Sequence, residues 1–345
     1  MTGGPYKTCV VGFGKISAGY ADDPVMARHY RYTTHAQVLT GHPRFSWRSV
    51  ADPSSAAQEA ARSTAGITDV AARVSDLAAR NEIEVAVLAT PPGPARIEAL
   101  DALPSLRAVL VEKPLGRTLA EGEAFLKRCQ ERGITVQVNL WRRADVTFRR
   151  LAAGELAQRI GHLQAGLAIY GNGARNNGVH IVDMVRMLCG EITGVSALGP
   201  GQGGAHLPIP ADRQIGGILA LAGGAKIMLA PLDFRNYREV GLDLWGTDGR
   251  FSILQEGLSI MHYPRLANRA MQNEREVASD QPQAIPSTVG EALREVYDDL
   301  AAALDGGGGV CSPAHSALRS ENVIEALFRS AESGTPVPLG DTASP

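Results

Sequence analysis

Short apolar runs alternate with helical segments along the first 140 residues, and this alternation constrains the fold more than any other feature. Five runs have the length and composition of buried strands: Lys7–Val11, Phe45–Ala51, Val85–Ala89, Ala108–Val111 and Ile134–Leu140. Because parallel strands require a long crossover connection, usually a helix, the pattern predicts a doubly wound parallel sheet of the α/β class. We expect this first domain to span residues 1–140.

The rest of the chain, residues 141–345, has a different pattern. Two helices and a strand between them are expected over Val146–Leu156, Leu163–Tyr170 and Val179–Leu188. From residue 195 to residue 263, strands follow one another with glycine turns between them, which favours hairpins and a large, mostly antiparallel or mixed sheet. Residues 265–288 are polar and contain proline, so we expect an irregular loop before two final helices. The sequence therefore predicts a second α/β domain.

Composition limits the classes of function. The chain is 44% hydrophobic and 20% charged, with a formal net charge of −2, which gives no attraction to nucleic acid or to an anionic membrane. It shows neither a leader-like segment nor an apolar run of membrane length. The four cysteines lack metal-ligand spacing, so we expect reduced thiols and no metal site. These features together predict a soluble cytoplasmic protein.

A glycine-rich turn directly follows the first strand. The turn reads Gly12, Phe13, Gly14, Lys15 and Ile16. It matches the start of a dinucleotide fingerprint, in which the first glycine permits a tight turn and the second lets a pyrophosphate approach the backbone. Asp52 ends the second strand, where a carboxylate accepts hydrogen bonds from ribose hydroxyls and repels a 2′-phosphate. We therefore expect NAD rather than NADP, although Asp52 also fits an ordinary turn.

Residues 18–34 interrupt the helical pattern between this turn and the first helix. They are rich in tyrosine, histidine, arginine and aspartate. Long loops often cover active sites, but many lie only on the surface. We expect the insertion to border the substrate or the cofactor, with His29, Tyr30 and Tyr32 reaching inward.

Polar residues without a packing role follow two of the predicted strands. Ala108–Val111 runs into Glu112, Lys113 and a proline, and Val85–Ala89 runs into Thr90 and Pro91. Ligands of open α/β sheets bind beyond the carboxyl ends of the strands, so we expect a cofactor at Thr90, Pro91, Glu112 and Lys113, although the turn at Thr90 also fits a simple loop. Lysine can give up its proton whereas arginine cannot, which makes Lys113 the candidate acid–base group. The alternative is a simple surface charge.

A second set of candidate residues lies in the second half. We expect His180 in the first turn of a helix, where the dipole disfavours a positive charge and keeps the imidazole neutral. Asn176 lies four residues earlier, and Asp183 either orients His180 or only forms a salt bridge. The predicted substrate-binding residues are Arg142, Arg143, Tyr170, Asn176 and Asp183. The two arginines bind a phosphate or carboxylate, or they form a solvated pair.

In this order, the motifs resemble those of the Gfo/Idh/MocA oxidoreductases. The resemblance rests on the Gly-x-Gly turn, on Glu112-Lys113-Pro114, on Asn176-x-x-x-His180, and on the helix start at His35. It implies an N-terminal Rossmann domain and a C-terminal α/β domain whose open sheet forms homodimers or homotetramers. It also implies NAD(P)-dependent oxidation or reduction of a sugar, cyclitol or sugar nucleotide. The family's lysine maps to Lys113 and its acid–base histidine to His180.

The chain departs from the family pattern at a few positions. The family often has aspartate where this chain has Asn176, and histidine where it has Ala95. The stretches Val138–Arg143 and Asn176–His180 resemble members from polysaccharide or natural-product sugar pathways. Two other functions stay open: a non-catalytic cofactor-binding regulator, which the lost carboxylate favours, and an NAD-dependent glycosidase that borrows and returns the hydride.

Overall fold

The computed structural model describes residues 4–80, 82–267 and 272–340. It divides into two compact units, the first comprising Met1–Asp145 and Gly290–Leu318, the second Val146–Val289 and Arg319–Pro345. This division differs from the boundary expected near residue 140, because a late segment of the chain belongs to the first unit.

The first unit contains a parallel sheet. Among its described residues the strands are β1 Tyr6–Val11, β2 Phe45–Ala51, β3 Asp69–Ala71, β4 Val85–Leu88, β5 Ala108–Val111 and β6 Thr135–Val138. Their order is β3-β2-β1-β4-β5-β6, and every pairing is parallel. Strands β4 and β5 are buried at every position because both faces of the sheet are covered. The doubly wound α/β prediction is confirmed, with the order reversing between β1 and β4.

Helices cover both faces of this sheet. They are α1 His35–Gly41, α2 Ser55–Arg62, α3 Val74–Ala78, α4 Pro94–Ala102 and α5 Leu119–Glu131. Shorter helical turns lie at Lys15–Gly19, Met26–Arg28 and Trp141–Arg143. The threonine before α1 forms a capping box with Gln37, which explains why the helix begins there. Leu77, Leu100 and Phe125 fill one apolar layer, and Val38 and Leu39 lie in the other.

The insertion between β1 and α1 is an ordered part of the first unit. The main-chain N–H groups of Arg31 and Tyr32 donate to the carbonyl oxygen of Gly290 at 3.0 and 3.4 Å. The ring of Tyr30 meets Trp141 edge to face, with 6.3 Å between centroids. Because Trp141 closely follows β6, the insertion reaches the carboxyl edge of the sheet.

The second unit contains a mixed sheet. Its described helices are α6 Val146–Arg150, α7 Leu156–Ile160 and α8 Val179–Cys189, with helical turns at Leu151–Glu155, Ala174–Gly178 and Gln255–Gly257. Its described strands are β7 Leu163–Gly171, β8 Ile192–Ala197, β9 Gln202–Gly203, β10 Arg213–Gln214, β11 Gly217–Leu221, β12 Lys226–Leu232, β13 Gly241–Gly246, β14 Gly249–Leu254, β15 Ser259–Ala267, β16 Arg275–Val277, β17 Gln283–Ala284 and β18 Val337–Pro338. The large sheet has the order β16-β15-β14-β13-β7-β12-β11-β8-β18 with β17 beside β15, and β9 pairs only with β10. The pairing of β7 with β12 is parallel, so the prediction of a mixed sheet is confirmed.

Two local expectations in this unit need correction. The helix expected over Val146–Leu156 is interrupted, because Gly154 has a φ of 122° that no α-helical residue adopts. The loop expected over residues 265–288 includes β16, β17 and the end of β15, while residues 268–271 lie outside the described part. Both short strands pair with β15, β16 as a hairpin with the end of β15 and β17 with a more distant part of it.

One face of the large sheet carries partly exposed apolar side chains. Met228, Leu167, Trp245 and Tyr263 lie on this face by strand register, and Met228 is 47% exposed. An exposed apolar surface of this kind often marks an interface. Self-association of this chain stays a prediction.

Two helices follow the second sheet in the chain, α9 Ala292–Leu304 and α10 Ala314–Ser333. Helix α9 packs in the first unit, where Val296, Tyr297 and Leu300 are fully buried in the same layer as α1. Its apolar stripe explains why the second half of the chain is not one continuous domain. No described helix is both long and apolar enough to cross a membrane.

Tyr170 anchors the end of β7. Its side chain is 0% exposed, and its hydroxyl accepts the N–H of Ile215 at 2.8 Å and donates to the same residue's carbonyl oxygen at 3.0 Å. Burial raises the pKa of Tyr170, so the hydroxyl keeps its proton. One side chain therefore satisfies both main-chain groups of a buried residue.

We predict that Tyr170→Phe lowers the free energy of unfolding by about 1–3 kcal/mol, because it leaves the N–H and the carbonyl of Ile215 without this partner. Urea denaturation followed by circular dichroism measures the loss. Tyr237→Phe is the matched control, since Tyr237 is 65% exposed and its change should stay within about 0.5 kcal/mol. Equal stability of the two variants would contradict the anchoring role.

Candidate active site

The turn after β1 has space for a ligand at one of its two glycines. Gly12 has a φ of 89°, and a Cβ there would lie 2.7 Å from Thr90 Cγ2, so only glycine fits. A Cβ on Gly14 would meet no atom within 4 Å. Ser17, which stands in place of a third glycine, donates to the carbonyl oxygen of Gly12 at 2.6 Å. The turn is thus packed against the protein at Gly12 and has free space at Gly14.

Asp52 connects the end of β2 to this turn. One carboxylate oxygen accepts the main-chain N–H of Phe13 at 2.7 Å, and the other accepts that of Ser54 at 2.8 Å. The ring of Phe13 is buried near Trp47, so Phe13 presents only its main chain to the turn. Lys15 is exposed and Ile16 is half-buried. A negative charge therefore lies where a dinucleotide presents its adenosine ribose.

Two buried polar atoms lie at the carboxyl ends of the two strands that flank β5. Thr90 Oγ1 follows β4 and Asn139 Oδ1 follows β6, and neither has a hydrogen-bond partner in the described part of the chain. Buried polar atoms are usually satisfied, so these two suit a bound polar molecule. Pro91, beside Thr90, is exposed. Together with the open space at Gly14, these residues fit a dinucleotide.

Glu112 lies at the end of β5 inside a hydrogen-bonded network. Its side chain is 15% exposed, and one oxygen contacts His35 Nε2 at 3.1 Å and accepts from Asn139 Nδ2 at 2.5 Å. The other ring nitrogen of His35 contacts the Tyr297 hydroxyl at 2.7 Å. Sequence reasoning missed Tyr297, which lies far along the chain in α9, and recognised His35 only as a helix start.

This network keeps Glu112 ionised. Burial by itself would raise the pKa of Glu112, but the hydrogen bonds from His35 and Asn139 and the positive charge of Lys113 outweigh it and lower the pKa. Burial and the same carboxylate raise the pKa of Tyr297 well above its usual range. A negative charge is thus fixed next to Lys113, which is half-buried and joined to Pro114 by a cis peptide bond.

Arg96 is a further residue that sequence reasoning missed. It is 1% exposed and donates to the main-chain carbonyl oxygens of Thr90, Glu112, Pro114 and Leu115. An arginine in an amphipathic helix is usually on the surface, so no local signal indicated its burial.

The two arginines after β6 differ from each other. Arg142 is 5% exposed, and its guanidinium lies 4.0 Å from the centroid of the Trp141 ring. The solvated-pair alternative is therefore wrong for Arg142, because stacking and burial remove it from water. Arg143 is half-buried.

In the second unit, Asp212 holds the loop that precedes α8. Its carboxylate accepts the main-chain N–H groups of Arg175 at 3.0 Å and of Asn176 at 3.1 Å. A Cβ on Gly173 would lie 2.1 Å from Asp212 Oδ2, so this approach requires glycine. Burial raises the pKa of Asp212, although these N–H groups favour its charged form. No local pattern marked Asp212 as the partner of a loop 36 residues earlier.

His180 lies in the first turn of α8, as expected, but α8 continues a helical turn that precedes it. Helical backbone begins at Ala174 with a π-helical turn, and the N–H of Val179 already bonds to the carbonyl oxygen of Ala174. His180 therefore lies about one turn inside the helical segment, and the argument from free N–H groups at a helix start is wrong, since that effect is confined to the first turn. Its ring is half-buried. Asn176 Nδ2 donates to the Asn172 carbonyl oxygen at 3.1 Å, which orients that amide.

Two predicted substrate residues have structural partners instead. Tyr170 is the buried anchor of β7 described above. Asp183 is 3% exposed, accepts from Ser320 Oγ at 2.9 Å and lies 3.7 Å from the Arg186 guanidinium. We therefore interpret both as parts of the core, with Asp183 taking the salt-bridge role that the sequence left open.

A cavity of about 240 Å³ lies within the second unit, beside the loop that precedes α8. Its lining residues are Asn172, His206, Gln214, Phe234, Arg235 and Arg238. Gln214 is 9% exposed, and its Oε1 has no hydrogen-bond partner among the described residues. Arg235 bonds to Asp233 through two nitrogens and lowers the pKa of that carboxyl to about 2. The cavity thus offers an aromatic ring, amides and fixed charges.

The chain matches known proteins over nearly its whole length. Residues 6–140 match the model described as oxidoreductase family, NAD-binding Rossmann fold, and residues 172–339 match oxidoreductase family, C-terminal alpha/beta domain. No curated protein sequence matches significantly.

Several solved structures share the fold. The WlbA dehydrogenase from Bordetella pertussis, in complex with NADH and UDP-GlcNAcA, has a TM-score of 0.72 at 19% identity over 97% of this chain and 99% of its own. A putative myo-inositol dehydrogenase from Sinorhizobium meliloti 1021 has a TM-score of 0.70 at 19% identity over 97% and 100%. An aldose-aldose oxidoreductase from Caulobacter crescentus, complexed with glycerol, has a TM-score of 0.74 at 14% identity over 97% and 100%.

Both family models describe oxidoreductase domains, and together they cover most of the chain. The chain therefore belongs to the Gfo/Idh/MocA family of oxidoreductases, and residues 6–140 form that family's NAD-binding Rossmann domain.

Proposed function

We propose that the protein transfers a hydride between NAD and a hydroxyl-bearing or keto carbon of a sugar, cyclitol or sugar nucleotide. The observation that carries this proposal is Lys113, a half-buried lysine placed directly after β5, next to an ionised Glu112 and in the same sheet edge as the dinucleotide turn. Structures with the same fold contain NADH with UDP-GlcNAcA, or glycerol, which supports a polyhydroxylated substrate.

The proton is handled by Lys113 and His180. When bound, the nicotinamide supplies or accepts the hydride. In oxidation, the lysine amine or the imidazole takes the proton of the substrate hydroxyl, and in reduction the protonated group returns it to the carbonyl oxygen. The positive charge of Lys113 in turn helps to keep Glu112 ionised. Asn176 contributes a neutral hydrogen-bonding group.

The cavity beside Asn172 supports the class of substrate. Amides such as that of Gln214 donate and accept at once, as sugar hydroxyls do, and the carboxylate–guanidinium pair of Asp233 and Arg235 offers both kinds of group in fixed geometry. Phe234 adds an apolar surface for the face of a sugar ring. We propose that these residues bind substrate hydroxyls.

We predict that Asp52 sets a preference for NADH over NADPH. A 2′-phosphate would meet a carboxylate already held by two main-chain N–H groups, so it could not move away without breaking them. Fluorescence titration should give tighter binding of NADH than of NADPH. Asp52→Ser should lower the ratio of the NADPH Kd to the NADH Kd by about tenfold or more. Asp76→Asn, at an exposed site on α3, is the control. Tighter binding of NADPH by the unaltered protein would contradict this role.

We predict that Lys113→Arg and Lys113→Met each lose about 10²–10⁴-fold in kcat while NADH binding stays largely intact, because general acid–base groups contribute about that much. His180→Ala should behave likewise. If both groups act on one proton, the double variant should lose much less than the product of the single losses. Rates are measured as NADH absorbance over a panel of aldoses, cyclitols and UDP-sugars.

Lys127→Arg is the matched control, since Lys127 is a 77% exposed lysine of the same unit. A Lys113→Arg variant with the same kcat as the parent protein would mean that Lys113 acts only through its positive charge and not as an acid–base group. The same assay separates the rival functions: release of a free sugar without net NADH change indicates a glycosidase, and cofactor binding without turnover of any compound indicates a regulator.

We predict that the insertion over residues 18–34 gains protection from hydrogen exchange when NADH binds. The insertion directly follows the dinucleotide turn and contacts Trp141 through Tyr30. His29 is exposed, so among the three residues expected to reach inward we retain only Tyr30 and Tyr32. Exchange is measured by mass spectrometry with and without NADH, with the exposed residues 130–133 of the same unit as internal control. Unchanged protection across the insertion would count against its place at the site.

A further inference from the structure

Arg96 lies in the first turn of α4, the helix that connects β4 to β5, and its guanidinium is buried beneath the ends of both strands. Nη2 donates to the carbonyl oxygen of Glu112 at 2.8 Å, and Nη1 donates to that of Pro114 at 2.7 Å. These two residues stand immediately before and after Lys113. The backbone is therefore held on both sides of the lysine by a single rigid group.

The same guanidinium also holds the end of the neighbouring strand. Nε and Nη2 both donate to the carbonyl oxygen of Thr90, at 3.1 and 2.5 Å, and Nη1 donates to Leu115 at 3.1 Å. Thr90 Oγ1 is buried without a hydrogen-bond partner among the described residues, and the same side chain lies beside Gly12 of the dinucleotide turn. Arg96 thus fixes the spacing between the Thr90 turn and the Lys113 segment.

Residues 112–116 need such a partner because they form neither helix nor strand. Carbonyl oxygens in a non-repeating segment lack the regular partners of secondary structure, and a buried one without a partner costs about 1–3 kcal/mol. Arginine presents five N–H donors in a planar fork, and here they reach four carbonyl oxygens. Lysine has three donors on one atom and cannot span that spread.

We propose that Arg96 is a positioning residue that sets the place of Lys113 relative to the cofactor-facing Thr90. This inference rests on the proposed function of Lys113. Arg96 touches neither substrate nor cofactor in this account; it acts through main-chain carbonyls on both sides of the lysine.

The test is the chemical reactivity of Lys113, which requires no substrate. The full-length Arg96→Lys variant and the parent protein are pulsed with limiting acetic anhydride, and acetylation of each lysine is read by mass spectrometry. We expect the rate at Lys113 to change by about threefold or more, with Lys7 and Lys127 unchanged. In the panel assay, kcat should fall by about 10- to 100-fold with little change in KM, as a small misplacement of a reacting group produces.

Arg132→Lys is the matched control. Arg132 also donates to a main-chain carbonyl oxygen, that of Leu103 at 2.8 Å, but after α5, away from the strand ends that carry Lys113. Arg96→Gln, which keeps an amide donor without a buried charge, serves if Arg96→Lys does not fold. Urea midpoints of every variant separate a loss of stability from a loss of rate per folded molecule.

The outcomes distinguish this inference from the proposed function. Lys113 acetylation in Arg96→Lys equal to that in Arg132→Lys would overturn the positioning role, whatever happens to stability. Altered acetylation with an unaltered kcat would support the positioning of Lys113 but remove its acid–base role. Altered acetylation with a reduced kcat supports both.

Discussion

The carboxylate of Glu112 is the group on which the arrangement of the first unit's strand ends depends. Moving a carboxylate out of water costs several kcal/mol even after the surroundings relax. Here His35 and Asn139 offset that cost from two distant segments, and Tyr297 holds the far side of His35. The charge is tolerated only when α1, β6 and α9 are all in place. One buried interaction thus explains why a helix beginning at residue 292 must return to a sheet completed by residue 138.

Much of the first unit could be predicted, because its signals are local. A run such as Val85–Leu88, apolar at every position, belongs in a sheet covered on both faces, and helical crossovers then force parallel pairing. The second unit was less predictable. Successive strands suggested hairpins, yet β12 pairs in parallel with β7, some sixty residues earlier in the chain, and β13 pairs with β7 on its other side. Such pairings depend on which distant edges need covering, which local hydrophobic patterning does not record.

The candidate site divides in the same way. Gly12, Asp52 and Lys113 could be identified because each breaks an apolar pattern at a strand end, where the fold directs ligands. Arg96 and Asp212 could not, because they bond to main-chain groups of other segments, and no local pattern marks those contacts. Tyr170, which we expected at the substrate, is fully buried and bonds to the main chain of Ile215. The sequence therefore indicates candidate reactive residues more readily than it indicates the residues that hold them in position.

Asn176, where the family often has aspartate, illustrates the difference between candidate reactive residues and the residues that hold them in position. The loss of a carboxylate at this position suggests a loss of charge from the loop. However, Asp212 places a buried carboxylate beneath the same turn, bonded to the N–H groups of Asn176 and Arg175. That charge is fixed by main-chain donors, whereas the Asn176 amide is oriented by the Asn172 carbonyl. The loop thus presents a neutral, oriented amide at residue 176 above a carboxylate that its own backbone has already bound.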